Sequence, residues 1–252
     1  MPHKKSLFTL LGWSLTILLV GCNLPSPSGS GSSGGAGGST SASGPCANSV
    51  YPVTVGNTWN YQMSGTTNDT YTRTIQTVDS SGFTDQDTFS NGVSRTGKWN
   101  CAAGDLTALD PVGATTANVQ FSGNSTDFQT TALTGVTLPA HIQSGDSWNQ
   151  TLSLHGTVTM HGASAEASSD IAIACTAAGS ESLAVPAGSF NAMKVTCQDT
   201  LTITVTTAGV TIPTNLNFEA DSWYAPGVGW VKTISSGSGL DTTIELTSYT
   251  VH

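Results

Sequence analysis

A two-residue alternation of apolar side chains, repeated along most of the chain, limits what this sequence can fold into. Trp148, Leu152, Leu154, Val158 and Met160 share one parity. Ile171, Ile173 and Cys175 form a second such run, and Met193, Val195, Cys197, Leu201, Ile203 and Val205 a third. Near the end Leu240, Ile244 and Leu246 repeat it. Side chains on a strand point alternately to opposite faces, so this pattern fits antiparallel sheet with one buried and one wet face. No convincing helical periodicity appears from residue 45 onward. Turn signals recur between the runs at Gly56-Asn57, Ser81-Gly82, Asn91-Gly92, Gly123-Asn124, Gly145-Asp146 and Ser236-Gly237, which divides the chain into about ten to twelve strands. Charged residues make up only 9% of the chain, and a Thr-rich, β-branched composition suits half-wetted strands.

Two stretches echo each other. "VGNTWNYQ" from Val55 and "SGDSWNQT" from Ser144 both place a turn Gly, an Asx residue and then a Trp at the start of a strand. The pair is read either as two related halves of one curved sheet or as common turn chemistry. "VPAGSF", residues 185–190, reads as a tight hairpin with Pro186 at the second turn position and Gly188 in the left-handed region. That turn pairs Val185 with Ser189 and leaves Cys175 and Cys197 as diagonal neighbours about 7 Å apart, which one bulge would bring opposite.

The first residues are of another kind. Lys4 and Lys5 precede an apolar core of 15 residues, 6–20. A spanning helix needs about 20, so the segment fits the core of an export signal. Leu19-Val20-Gly21-Cys22 resembles the lipobox of bacterial lipoproteins. The resemblance implies cleavage before Cys22, with a diacylglycerol on its thiol and an acyl chain such as palmitate on its amine. Each buried methylene contributes about 0.8 kcal/mol, so two or three chains hold a protein at a bilayer where one is marginal. Residues 23–44 are almost entirely Ser, Gly, Pro, Ala and Thr and read as a disordered tether of about 25 Å r.m.s. span. Gly31-Ser32-Ser33-Gly34-Gly35 matches an esterase pattern within it but has neither the strand nor the helix that a nucleophile needs. The chain thus divides into a signal peptide (1–21), a lipidated Cys with its tether (22–44) and a single all-β domain (45–252), exported and held on the extracytoplasmic side of the cell envelope. The partner implied is a membrane, met through the anchor. After the leader, five basic residues face sixteen acidic ones, a surface that repels nucleic acid.

With Cys22 lipidated, Cys46, Cys101, Cys175 and Cys197 remain, in a compartment where disulfides persist. The hairpin favours Cys175–Cys197, which leaves Cys46–Cys101. A zinc site is the rival, but no C-x-x-C spacing supports it.

"YPVTVGNTWNYQ", "VPAGSFNAMKV" and "WYAPGVGWVK" together resemble a group of exported bacterial proteins without assigned activity. That resemblance, over residues 51–234, implies a large antiparallel sheet, strongly curved or open and β-barrel-like. A β-sandwich is the alternative architecture.

No catalytic set assembles from the sequence, and no metal or cofactor is expected. His155 and His161 share parity but stand about 20 Å apart if extended. Asp85 and Asp87 have a spacing that mimics a glycosidase pair, yet "GFTDQDTFSNG" reads as a turn-like stretch with solvated carboxylates. Trp223, Tyr224 and Trp230 read as core packing or as a stacking platform for a sugar or an apolar ligand. Three functions follow: a non-catalytic binding or envelope-surface module with an apolar or carbohydrate ligand; an extracellular hydrolase acting on carbohydrate or peptide, in which two carboxylates converge in a cleft, for instance Asp85 or Asp87 with Glu219 or Asp221; or a purely structural or adhesive domain.

Overall fold

The computed structural model describes residues 44–110, 126–160, 163–207, 210–239 and 241–252. Residues 1–43, which hold the expected signal peptide, Cys22 and most of the expected tether, lie outside the described residues, as do Gly123-Asn124, His161 and Leu240. Twelve strands follow one another: β1 (Thr58–Gly65), β2 (Asp69–Val78), β3 (Gly82–Phe89), β4 (Ser94–Ala102), β5 (Asp105–Ala108) and β6 (Thr126–Gly135). The second half is longer, with β7 (Ser147–Met160), β8 (Ala163–Val185), β9 (Gly188–Thr207), β10 (Val210–Ala225), β11 (Gly229–Ser236) and β12 (Thr242–Thr250). All pair antiparallel in one sheet of order β5-β4-β3-β2-β1-β12-β11-β10-β9-β8-β7-β6. The sheet curves into a nearly closed barrel, so the all-β, barrel-like expectation holds and the sandwich does not.

The alternation seen in the sequence is the inner face. Leu152, Leu154, Ile171, Ile173, Cys175, Val195, Cys197 and Leu201 are buried in one core with Trp59, Tyr61, Ile244 and Leu246. The echoed stretches adopt one local geometry. Gly56 donates to Ile75, which donates back to Asn57; Gly145 donates to Ala177, which donates back to Asp146. Both glycines have positive φ, 87° and 92°, which a side chain would strain.

The hairpin register differs from the expected one by one residue. Val185 pairs with Gly188 and Ala184 with Ser189, around a two-residue loop, and a bulge between Ala177 and Gly179 sets Cys175 directly opposite Cys197. Those sulfurs are joined at 2.06 Å, and Cys46 is joined to Cys101 at 2.07 Å.

The three sequence motifs meet at one end of the sheet. Trp59 Nε1 donates to the Val228 carbonyl, and Tyr61 Oη to that of Trp230. The hairpin tip reaches the same end, Ala187 donating to the Leu246 carbonyl. Gly229, at φ 103°, leaves its hydrogen against the Trp59 indole.

The two edges of the sheet are drawn together without a full ladder. Leu106 of β5 bridges to Leu138, just beyond β6. Ala108 donates to Thr137 Oγ1, Thr137 Oγ1 donates to Gln150 Oε1, and Gln150 Nε2 donates to the Ala108 carbonyl.

Candidate functional site

Charged side chains occupy inner-face positions that alternation alone reserves for apolar ones. Tyr71, Arg73 and Ile75 lie in phase on β2; Phe83, Asp85, Asp87 and Phe89 lie in phase on β3. Asp85 and Asp87 are therefore not loop carboxylates: they sit inside the sheet, 1% and 2% exposed. Arg73 and Asp87 are register partners and form two parallel bonds, Nε to Oδ1 and Nη2 to Oδ2, each 2.8 Å. Asp85 Oδ2 stands 3.7 Å from the same Nε. The Asp85 carboxylate lies over its partner Gly97, where any Cβ would collide with it.

Burial sets the electrostatics of this cluster. It raises the Asp85 carboxyl above its ordinary range, with Arg73 pulling the other way. It works against the Arg73 charge too, but Asp87 and Asp85 outweigh it and hold the guanidinium firmly ionised. Trp230 lies 5.4 Å under Arg73, and Tyr61, Tyr71 and Phe89 stack alongside. This is a neutralised, bidentate pair in an aromatic wall, which specifies packing and offers no accessible acid or base.

Asp199 is different. It lies on β9 in phase with Cys197 and Leu201, beside Ile173 and Phe218 on the neighbouring strands. It is 5% exposed, and its Oδ1 has no hydrogen-bond partner. Burial alone pushes this carboxyl up to about 7. Tyr224 feels both Asp199 and Arg73 across the interior; burial first, then the two charges in opposition, bring its phenol up to about 12.

From Asp199 the same face runs outward along the longer strands. β11 accompanies β10 only from Glu219 onward, so the earlier part of β10 extends with β9 past the closed region. The in-phase residues become steadily more open: Leu201 and Phe218 are buried, Ile203, Val205 and Leu216 are half-buried, and Ile212 and Val210 are 54% and 59% exposed. Phe128 and Val205 pack against Ala165 and Ala167 on β8. This amounts to an open apolar face ending at a buried carboxyl. Its sequence signal is an acid standing in phase with Cys197 and Leu201, which the reading of apolar residues passed over.

The three aromatics do not form one platform. Trp230 and Tyr224 belong to the inner face, where Trp230 Nε1 donates to Thr233 Oγ1. Trp223 points the other way, under Lys194 at 5.3 Å and bonded to Glu181. Glu219 and Asp221 share that outer face with Gln198, Thr196 and Lys194, so neither meets Asp85 or Asp87. The convergence given as an example for a hydrolase is therefore not formed by these four residues. His141 and His155 are exposed. Among the described residues no three His, Cys, Asp or Glu side chains are placed to hold a metal.

The model of the family described as DUF3108-like matches residues 55–251. Comparison with curated proteins gives no match. Two solved structures share the fold. One, described as an exported protein with a YmcC-like fold from Bacteroides fragilis, has a TM-score of 0.53 at 16% identity, covering 81% of this chain and 100% of that one. The other, described as a lipoprotein from Parabacteroides distasonis, has a TM-score of 0.52 at 15% identity, covering 81% and 99%.

Proposed function

The chain belongs to the DUF3108-like family, and from that premise we propose that it is a lipid-anchored, extracytoplasmic, non-catalytic binding module that takes an apolar ligand on the inner face of its sheet. The observation that carries the binding reading is the strip from Phe218 to Val210. Its apolar side chains line the concave face yet lie increasingly open to solvent. Exposed apolar side chains of this kind cost solubility unless something covers them, and the mouth of a curved sheet is a usual place for a ligand. The anchor is supported by the Leu19-Val20-Gly21-Cys22 motif and its Ser/Gly tether. The two disulfides fit an oxidising compartment, and one fold neighbour is described as a lipoprotein.

Two measurements test the two halves of the proposal. Cys22→Ala is expected to block processing or release the protein from the membrane fraction; unchanged cleavage and retention would remove the anchor. Native mass spectrometry and organic extraction of protein purified from its own membrane are expected to yield a bound apolar molecule. A clean apo mass, together with no uptake of a fluorescent alkyl probe, would remove the binding reading.

A further inference from the structure

We propose that the ligand's head is cationic: an alkyl chain lies along Ile212, Val205, Ile203 and Leu216, and its terminal ammonium is held by Asp199. The inference rests on the binding reading above and names the chemistry of the same face.

Three observations carry it. First, Asp199 ends the strip. It shares the inner face with Leu201 and Phe218, and beyond them with Ile203 and Leu216, in an uninterrupted β9–β10 register. Second, the carboxyl is 95% buried with Oδ1 unbonded. A buried polar atom without a partner costs on the order of 1–3 kcal/mol, so its presence in an otherwise apolar wall asks for a donor. Third, among the described residues no ion pair reaches it. Arg73 is held by Asp87, Lys194 by Asp221 and Lys232 by Glu245, and burial alone accounts for the state of Asp199. An ammonium arriving at the end of an alkyl chain would satisfy Oδ1 and restore the carboxylate. The acidic surface, sixteen acids against five bases beyond the leader, favours a cation's approach and opposes that of a fatty carboxylate.

The test compares octylamine, octanol and octanoate at pH 6, where the empty protein holds the Asp199 proton, added to the mature protein in nanodiscs of neutral lipid, with Asp199→Asn in parallel. The expected result is at least tenfold tighter binding of octylamine than of the other two. That preference should vanish in the Asn variant, and binding should shift the Asp199 carboxyl carbon resonance to its ionised position. Equal binding of all three probes, or an amine preference that survives in Asp199→Asn, overturns the cationic head while leaving the apolar face. Failure of every probe to bind overturns the binding reading itself. Should the variant not fold, the ranking of the three heads and the carboxyl resonance in the unaltered protein decide alone.

Discussion

Asn48 and Gln150 are two carboxamides that close the same seam from opposite sides. Asn48 Nδ2 donates to the carbonyls of Gly104, in the β4–β5 turn, and Pro139, beyond β6. Gln150, on β7, donates to the carbonyl of Ala108 at the end of β5. Each therefore ties one edge of the sheet to the other where the ladder is reduced to the single Leu106–Leu138 bridge. Gln150→Leu takes away the side-chain donor to the Ala108 carbonyl and the acceptor of the Thr137 hydroxyl and should cost about 1–3 kcal/mol in urea unfolding. Asn48→Leu should cost a similar amount. Because both act on one seam, the double variant should fall short of the sum by at least ~0.5 kcal/mol. Hydrogen exchange should quicken first in β5. Full additivity with β5 still protected would show that the edges are held elsewhere.

Arg73 faces two buried acids, Asp87 at 2.8 Å and Asp85 at 3.7 Å, which makes it costly to remove. Arg73→Met strands Asp87 and Asp85 in an aromatic wall, and a loss of about 3–5 kcal/mol is expected at neutral pH. Removing Asp87 as well, Arg73→Met with Asp87→Leu, should recover part of that loss, since a well-packed apolar pair can replace a buried ion pair while Asp85 stays without Arg73. Chemical denaturation of the two variants measures both. A single variant within 1 kcal/mol of the parent would mean that the pair contributes little at that site.

How much of this was legible in the sequence depended on what was counted. Counting apolar residues by parity located the strands, because Leu152 and Leu154 or Val195 and Cys197 are buried for the reason that they alternate. It passed over Asp85 and Asp87, which stand at the same parity as Phe83 and Phe89, and Asp199 between Cys197 and Leu201. Polar residues in phase with a buried run were the available signal for the interior. The disulfide between Cys175 and Cys197 was nearly legible, since a hairpin fixes its own register up to a bulge. The seam was not. Asn48 and Gln150 bond to groups 56 and 42 residues away, and only the closure of the whole sheet brings those together.

The Cys46–Cys101 bond joins the segment carrying Asn48 to β4, closing a span of 55 residues. In the chain-entropy account such a loop stabilises by about 4 kcal/mol. Replacing both cysteines with serine should therefore lower the melting temperature by roughly 10 °C, at 2–4 °C per kcal/mol for a domain this size. Exchange protection should be lost around Val50 and Tyr51, whose amides are held by Asn48 Oδ1. Protection unchanged there would mean that Asn48 alone secures the segment.

Asp199 gives stability a pH dependence of definite sign. Its carboxyl titrates near 7 in the fold against 3.8 in an unfolded chain. Below about pH 4 both states hold the proton and the residue adds no pH-dependent penalty. Between about 4 and 7 the unfolded chain has released the proton while the folded one keeps it. The unfolded state then binds fewer protons, and stability falls as pH rises. Above 7 both are ionised and the penalty is constant, at about 4 kcal/mol for a shift of roughly three units. Asp85, also raised by burial, adds to the same trend, so the diagnostic quantity is the difference between the parent and Asp199→Asn. That difference should be small at pH 4, grow in favour of the variant through pH 7 and then level off. Urea midpoints at half-unit steps measure it. A flat difference would mean that Asp199 is ionised in the empty protein as well, and that a partner already satisfies it without a ligand.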